Sequence, residues 1–142
     1  MRSFTISTDR IGPRRWCWVR IHDTLDHMHR AAHRRSPWEP MAWWDGCMAC
    51  FQPTPWKLGD DDRKIWPASG YAGVLRLVDG EITSEIVAHE LVHAAATVYR
   101  MNVTPTIRLG AGDVGFHREE EFAYIYGELY ASFESQWREG TR

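Results

Sequence analysis

Apolar residues recur at intervals of three and four through Ile82, Ile86, Val87, Leu91, Ala94, Ala95 and Val98, with no Gly or Pro among them, which predicts a helix over residues 82–99. The Asp79-Gly80 turn and Thr83 or Ser84 as N-cap mark its start; Arg100 suits its C-terminal dipole, and Asn102 and Pro105 are stop signals. A second periodic run over residues 117–137 has two distinct stripes. Phe122, Ile125, Tyr126, Leu129 and Phe133 are bulky, whereas Ala123, Gly127 and Ala131 are small enough to let another helix approach closely. A shorter helix is expected over 23–34 with Leu25, Met28 and Ala32 inward. Residues 3–7, 16–21, 47–52 and 71–78 have the composition and alternation of strands. Pro37, Pro40, Pro53, Pro55 and Pro67 punctuate 36–69, which reads as loop around one strand. The order β-β-α-β-β-α-α describes an α+β fold, a small mixed sheet packed on the 82–99 helix and on a C-terminal helix.

Within the first helix lies His89-Glu90-Leu91-Val92-His93, the H-E-x-x-H pattern. Histidines four apart stack on one helix face, about 6 Å apart along the axis, so both imidazoles can converge on one tetrahedral ion. Glu90 then sits beside that ion without binding it, placed to act as general base toward a water whose pKa the ion lowers. A catalytic zinc needs a third protein ligand and an open position. The acidic run Glu119-Glu120-Glu121 opens the last helix after the Gly-rich connection 109–115. Glu120 heads the small stripe, which would face a closely packed neighbour, and is the first candidate. Glu121 heads the bulky stripe and is the next, followed by Glu119 and His117, because helix phase alone leaves one residue of offset open. Tyr124, one turn beyond Glu120, is the first candidate for stabilising an oxyanion, with His117 second. Substrate in extended form would add to the edge of the 71–78 strand, which leads into the motif helix.

The residues from His89 to Ala95, a spacer of under thirty residues, and the run from Glu120 to Leu129 together resemble the small zincin-type metallopeptidases, in particular those carried by bacteriophages. More distantly they are similar to the intracellular ImmA/IrrE metallopeptidases, without the Glu-Ala-Asn/Asp signature of that group. The resemblance covers about residues 70–137. It implies a zincin-like fold, a bound Zn2+, a peptide or protein substrate, and a glutamate at the start of the last helix as third ligand. A zinc-binding regulatory or protein-interaction module with little catalysis is the alternative, and Glu90 argues against it, since a purely structural site has no use for a general base.

Composition narrows the setting. A chain of 142 residues with net charge −2 is expected to form one domain, residues 1–142. Near-neutral charge argues against a chain-wide nucleic-acid role; Arg14, Arg15, Arg30, Arg34 and Arg35 would be the residues to carry one. No apolar segment long enough for a membrane or a secretion signal is present, so the expected location is the cytoplasm, the host's if the protein is phage-encoded. The three cysteines are expected to be reduced. Cys47 and Cys50, three apart on the expected strand, should point to opposite faces rather than share a metal with Cys17 and one of His22, His27, His29 or His33. His29 and His33, among arginines, read as a solvated polar face. Of eight tryptophans, Trp16, Trp18, Trp38, Trp43, Trp44 and Trp56 precede residue 57 and are expected to fill the core of a half poor in large aliphatics.

Overall fold

The alternating pattern at the start of the chain forms a hairpin of β1 (Arg2–Thr8) and β2 (Arg15–His22), with Phe4 opposite Val19 and Ile6 opposite Cys17. The computed structural model describes residues 1–60, 63–103 and 112–140, with side chains in the last helix from Glu119 onward. Helix α1 (Leu25–Arg35) follows, its first turn capped by Thr24, whose hydroxyl accepts the His27 N–H at 3.2 Å. Met28 and Ala32 are buried as their spacing predicts, while Leu25 is only half-buried. After a 3₁₀ turn at Met41–Trp44 come β3 (Cys50–Pro53), the two-residue strands β4 (Lys57–Leu58) and β5 (Lys64–Ile65), and β6 (Tyr71–Val78). Two long helices close the chain, α2 (Ser84–Asn102) and α3 (Gly112–Gly140). Among the described residues no helix is long and apolar enough to cross a membrane.

The main sheet has the order β1-β2-β6-β3, with β2 and β6 parallel and the other pairs antiparallel, so the architecture is α+β around a mixed sheet. Six of the eight residues of β6 are buried, as expected of an interior strand covered on both faces. This corrects the expectation that 71–78 offers an edge to substrate: β6 is paired on both sides, and the edges are β1 and β3. On one face Ile6, Cys17, Val19, Leu75 and Leu77 join Leu91, Ala95 and Val98 of α2 and Ile125, Leu129 and Phe133 of α3 in a single core. On the other, α1 lies over β6 and β2.

Helix α3 also covers the outer edge of β1. Ser7 N–H donates to Ser132 Oγ at 3.3 Å and Asp9 N–H to Glu128 Oε1 at 3.0 Å, so the free donors of that edge are satisfied by a helix rather than by a strand. Asn102, at the end of α2, ties the β1–β2 turn down: Nδ2 donates to the Ile11 and Pro13 carbonyls at 2.8 and 2.9 Å, and Oδ1 accepts from Arg15 Nε at 2.7 Å.

Several expectations change. The strand expected over 47–52 begins only at Cys50, because residues 47–49 form a bend; His29 Nε2 lies 2.8 Å from the Cys47 carbonyl. Part of the Gly-rich connection, from Gly112, belongs to α3. The tryptophans are not core fillers: Trp38, Trp43 and Trp56 are exposed, and of the six in the first half only Trp44 is buried. The small stripe of α3 faces away from its neighbours, since Ala123, Gly127 and Ala131 are all exposed and the bulky stripe makes the contacts.

Candidate metal centre

One face of α2, with Val87, Leu91, Ala94, Ala95 and Val98, is buried in the core, which turns His89, Val92 and His93 outward on the opposite side. Thr83 fixes the phase at the N-terminus by accepting the Ile86 N–H at 3.2 Å. The His89 and His93 rings lie 5.2 Å apart between centroids with their planes at 69°. They are one turn apart on the same side of the helix, free of core contacts that would prevent them from converging on a shared ion.

Glu90 lies about 100° round the helix from His89, and this turns it toward the β3 edge. Its side chain is 10 % exposed against 69 % for His89, and Oε1 lies 3.9 Å from His89 Nε2. The carboxylate faces the Phe51 backbone N–H, a donor on the side of β3 away from β6. Burial pushes the Glu90 carboxyl above its ordinary value, while His93, His89 and the Phe51 N–H pull the other way. A cavity of about 230 Å³, lined by Met48, Ala49, Glu85, Ile86, His89 and Glu90, opens beside it. A buried carboxylate, two exposed imidazoles and an open strand edge therefore meet at one place.

Two thiols flank this carboxylate. The bend at 47–49 packs Cys47 against the cluster of Cys50, Ala32 and Trp44, overturning the expectation that the two cysteines face apart, and Cys47 Sγ donates to the Ala49 carbonyl at 2.7 Å. Cys17 is buried on the other side of the sheet in the main core, whereas Cys50 packs with Ala32 and Trp44, so the three cysteines do not form one site. The neighbouring Cys50 thiol lowers the Cys47 thiol to about 7 against the opposing effect of burial, and Cys47 in turn raises that of Cys50. Burial alone pushes Cys17 up to about 12. Limited alkylation with iodoacetamide at pH 7.5 is thus expected to modify Cys47 before Cys17 or Cys50, read by peptide mass spectrometry; equal modification of all three would contradict this ordering.

The candidates on α3 are placed as follows. Glu120 is exposed on the outward face of the small stripe, and no group of three His, Cys, Asp or Glu able to hold a metal ion occurs among the described residues. Glu120, like His89 and His93, faces solvent, because the bulky stripe takes the packing contact that the small one was expected to make. Glu121 shares its phase with Glu128 and Ser132, which serve β1, and its Oε2 is shielded without a hydrogen-bond partner. Glu119 precedes Tyr126 by two turns, and Tyr126 Oη donates to the Ala88 carbonyl of α2 at 3.4 Å, so Glu119 is the acidic residue on the α2 side of α3. Tyr124 is 44 % exposed with the Arg10 guanidinium 4.4 Å from its ring centroid, on the side of the β1–β2 turn rather than beside Glu90. The side chain of His117 lies outside the described residues.

The donor chemistry suits zinc as far as two imidazoles on a solvent-facing turn go, with Glu90 turned aside from the ion's position rather than into it. Sequence reasoning missed Phe51, whose contribution is a backbone N–H at a sheet edge and depends on tertiary pairing alone. No family model, curated protein or solved structure matches the chain.

Proposed function

We propose that the protein is a zinc-dependent metallopeptidase of minimal zincin-like design, with His89 and His93 as metal ligands and Glu90 as general base. The observation that carries this reading is the position of Glu90, a buried carboxylate between two outward imidazoles and the free edge of β3. A purely structural site has no need of such a carboxylate, and burial raises its proton affinity in the sense a general base requires.

Zinc, when bound, supplies a Lewis acid that polarises a carbonyl and acidifies water. His89 and His93 would hold it through the exposed turn, with a third donor drawn from the acidic run at the start of α3, Glu119 or Glu120. Glu90 takes a proton from the attacking water and passes it to the departing amine. An extended peptide pairing along the outer edge of β3 would lie beside Glu90, with main-chain hydrogen bonds supplying much of its binding.

Hydrolysis of a mixed peptide library by the purified protein, read by mass spectrometry, tests this. Cleavage should stop on removal of zinc by a chelator and return when zinc is restored. Peptidase activity indifferent to both treatments, or zinc-loaded protein with no turnover, would overturn the proposal.

A further inference from the structure

On the face of the sheet away from α2 and α3, β2, β6 and α1 enclose a cavity of about 810 Å³ whose lining includes Arg20, Arg30, Arg34, Arg35 and Arg76. Five guanidiniums around one depression are unexpected in a chain of net charge −2, and Asp23 is the sole carboxylate in the lining. Arg30 is neutralised by Asp26 at 3.0 Å. The other four have no carboxylate partner among the described residues. Arg76, half-buried at the floor, donates from Nε to Gln52 Oε1 at 2.7 Å, and its Nη1 lies 3.4 Å from His22 Nε2. Arg35 is held with its guanidinium 5.7 Å from the Tyr71 ring centroid, and its Nη2 is shielded from solvent with no hydrogen-bond partner. Arg20 lies over Trp18 at 4.6 Å. Side chains this immobilised have already lost the rotamer freedom that binding would otherwise cost.

From this arrangement we infer that the cavity is a binding site for an oligophosphate, the triphosphate group of a nucleotide or an inorganic chain of similar length. Guanidiniums present paired N–H donors that match phosphate oxygens bidentately, and four unneutralised cations call for a ligand with several negative charges rather than one. The volume is that of a small-molecule pocket. Nucleic acid instead requires phosphate contacts repeated along an extended track, and these arginines converge on one depression. The local field is strong enough to act on a neighbour: burial first, then Arg76 and Arg20, lower the His22 imidazole to about 4, leaving it neutral and able to accept from Arg76. The site lies on the opposite face from His89 and does not depend on the proposed peptidase chemistry.

Calorimetric titration of metal-free protein with sodium tripolyphosphate tests the inference, with ATP, orthophosphate and a single-stranded DNA 20-mer as comparisons. Expected is saturable binding of one tripolyphosphate per chain, with orthophosphate at least tenfold weaker. ATP binding more tightly than tripolyphosphate would identify a nucleotide as the source of the phosphates, and equal affinity an inorganic chain; either supports the site. Arg35→Gln and, separately, the exposed Arg34→Gln should each weaken binding about tenfold while circular dichroism remains that of the parent, and His89→Ala/His93→Ala should leave it unchanged. Absence of saturable binding, indifference to both arginine variants, loss in the double histidine variant, or DNA binding that tripolyphosphate does not displace would each overturn it.

Discussion

Glu90→Gln is expected to keep zinc and the fold while losing hydrolysis by about 10²- to 10⁴-fold, the range general-base catalysis supplies. The substitution preserves shape, and its amide oxygen faces the Phe51 N–H as the carboxylate does. It removes the ability to take a proton. Zinc content per chain and kcat on a cleaved peptide are the two readouts, and their separation is what matters. A parallel fall in zinc content would make Glu90 a ligand rather than a base, and unchanged kcat would remove it from the reaction. Burial also penalises the charged carboxylate, so the neutral amide should not destabilise the chain at neutral pH.

Gly73→Ala should cost on the order of 3 kcal/mol of stability and lower hydrolysis with it. Gly73 has φ of 154° in the strand where the β2–β6 register shifts between Trp16 and Cys17, the geometry of a bulge. A Cβ there would lie 2.5 Å from the Gln52 carbonyl oxygen and 2.6 Å from Phe51 Cζ. Relief requires β3 to move off β6, and β3 carries the Phe51 N–H that positions Glu90. Gly46→Ala is the control: φ is 76° and nothing lies within 4 Å of its Cβ, so it bears backbone strain alone and should cost on the order of 1 kcal/mol. Urea unfolding of both variants checks the contrast, and equal losses would mean that the close approach at Gly73 relaxes without displacing β3.

How much of this was legible in the sequence follows how local each determinant is. Helix α2 could be read because its period, its Thr83 cap and the His89/His93 spacing all lie within the segment itself. The orientation of α3 could not. Its bulky and small stripes are both evident, but which one meets α2 depends on β1, whose open edge draws Ser132 and Glu128 and so rotates Ala123 and Gly127 to solvent. That rotation turns Glu120 to solvent and sets Tyr124 against Arg10. Tyr71 to Val78 read correctly as a strand, but a strand buried on both faces has no sequence mark saying which neighbours it pairs with. Cys47 left the expected strand because the chain bends before β3, where the Cys47 carbonyl meets His29 of α1, a contact eighteen residues distant. The arginines of the second cavity are spread over α1, β2 and β6, and only the parallel β2–β6 pairing, with Arg20 opposite Arg76, brings them together.

Zinc stoichiometry combined with zinc K-edge X-ray absorption of the purified chain tests the central claim most directly. The account predicts one zinc per chain with two imidazole ligands and oxygen donors completing the shell, lost in His89→Ala and in His93→Ala. Zinc bound through sulfur, or retained undiminished in both variants, would contradict it.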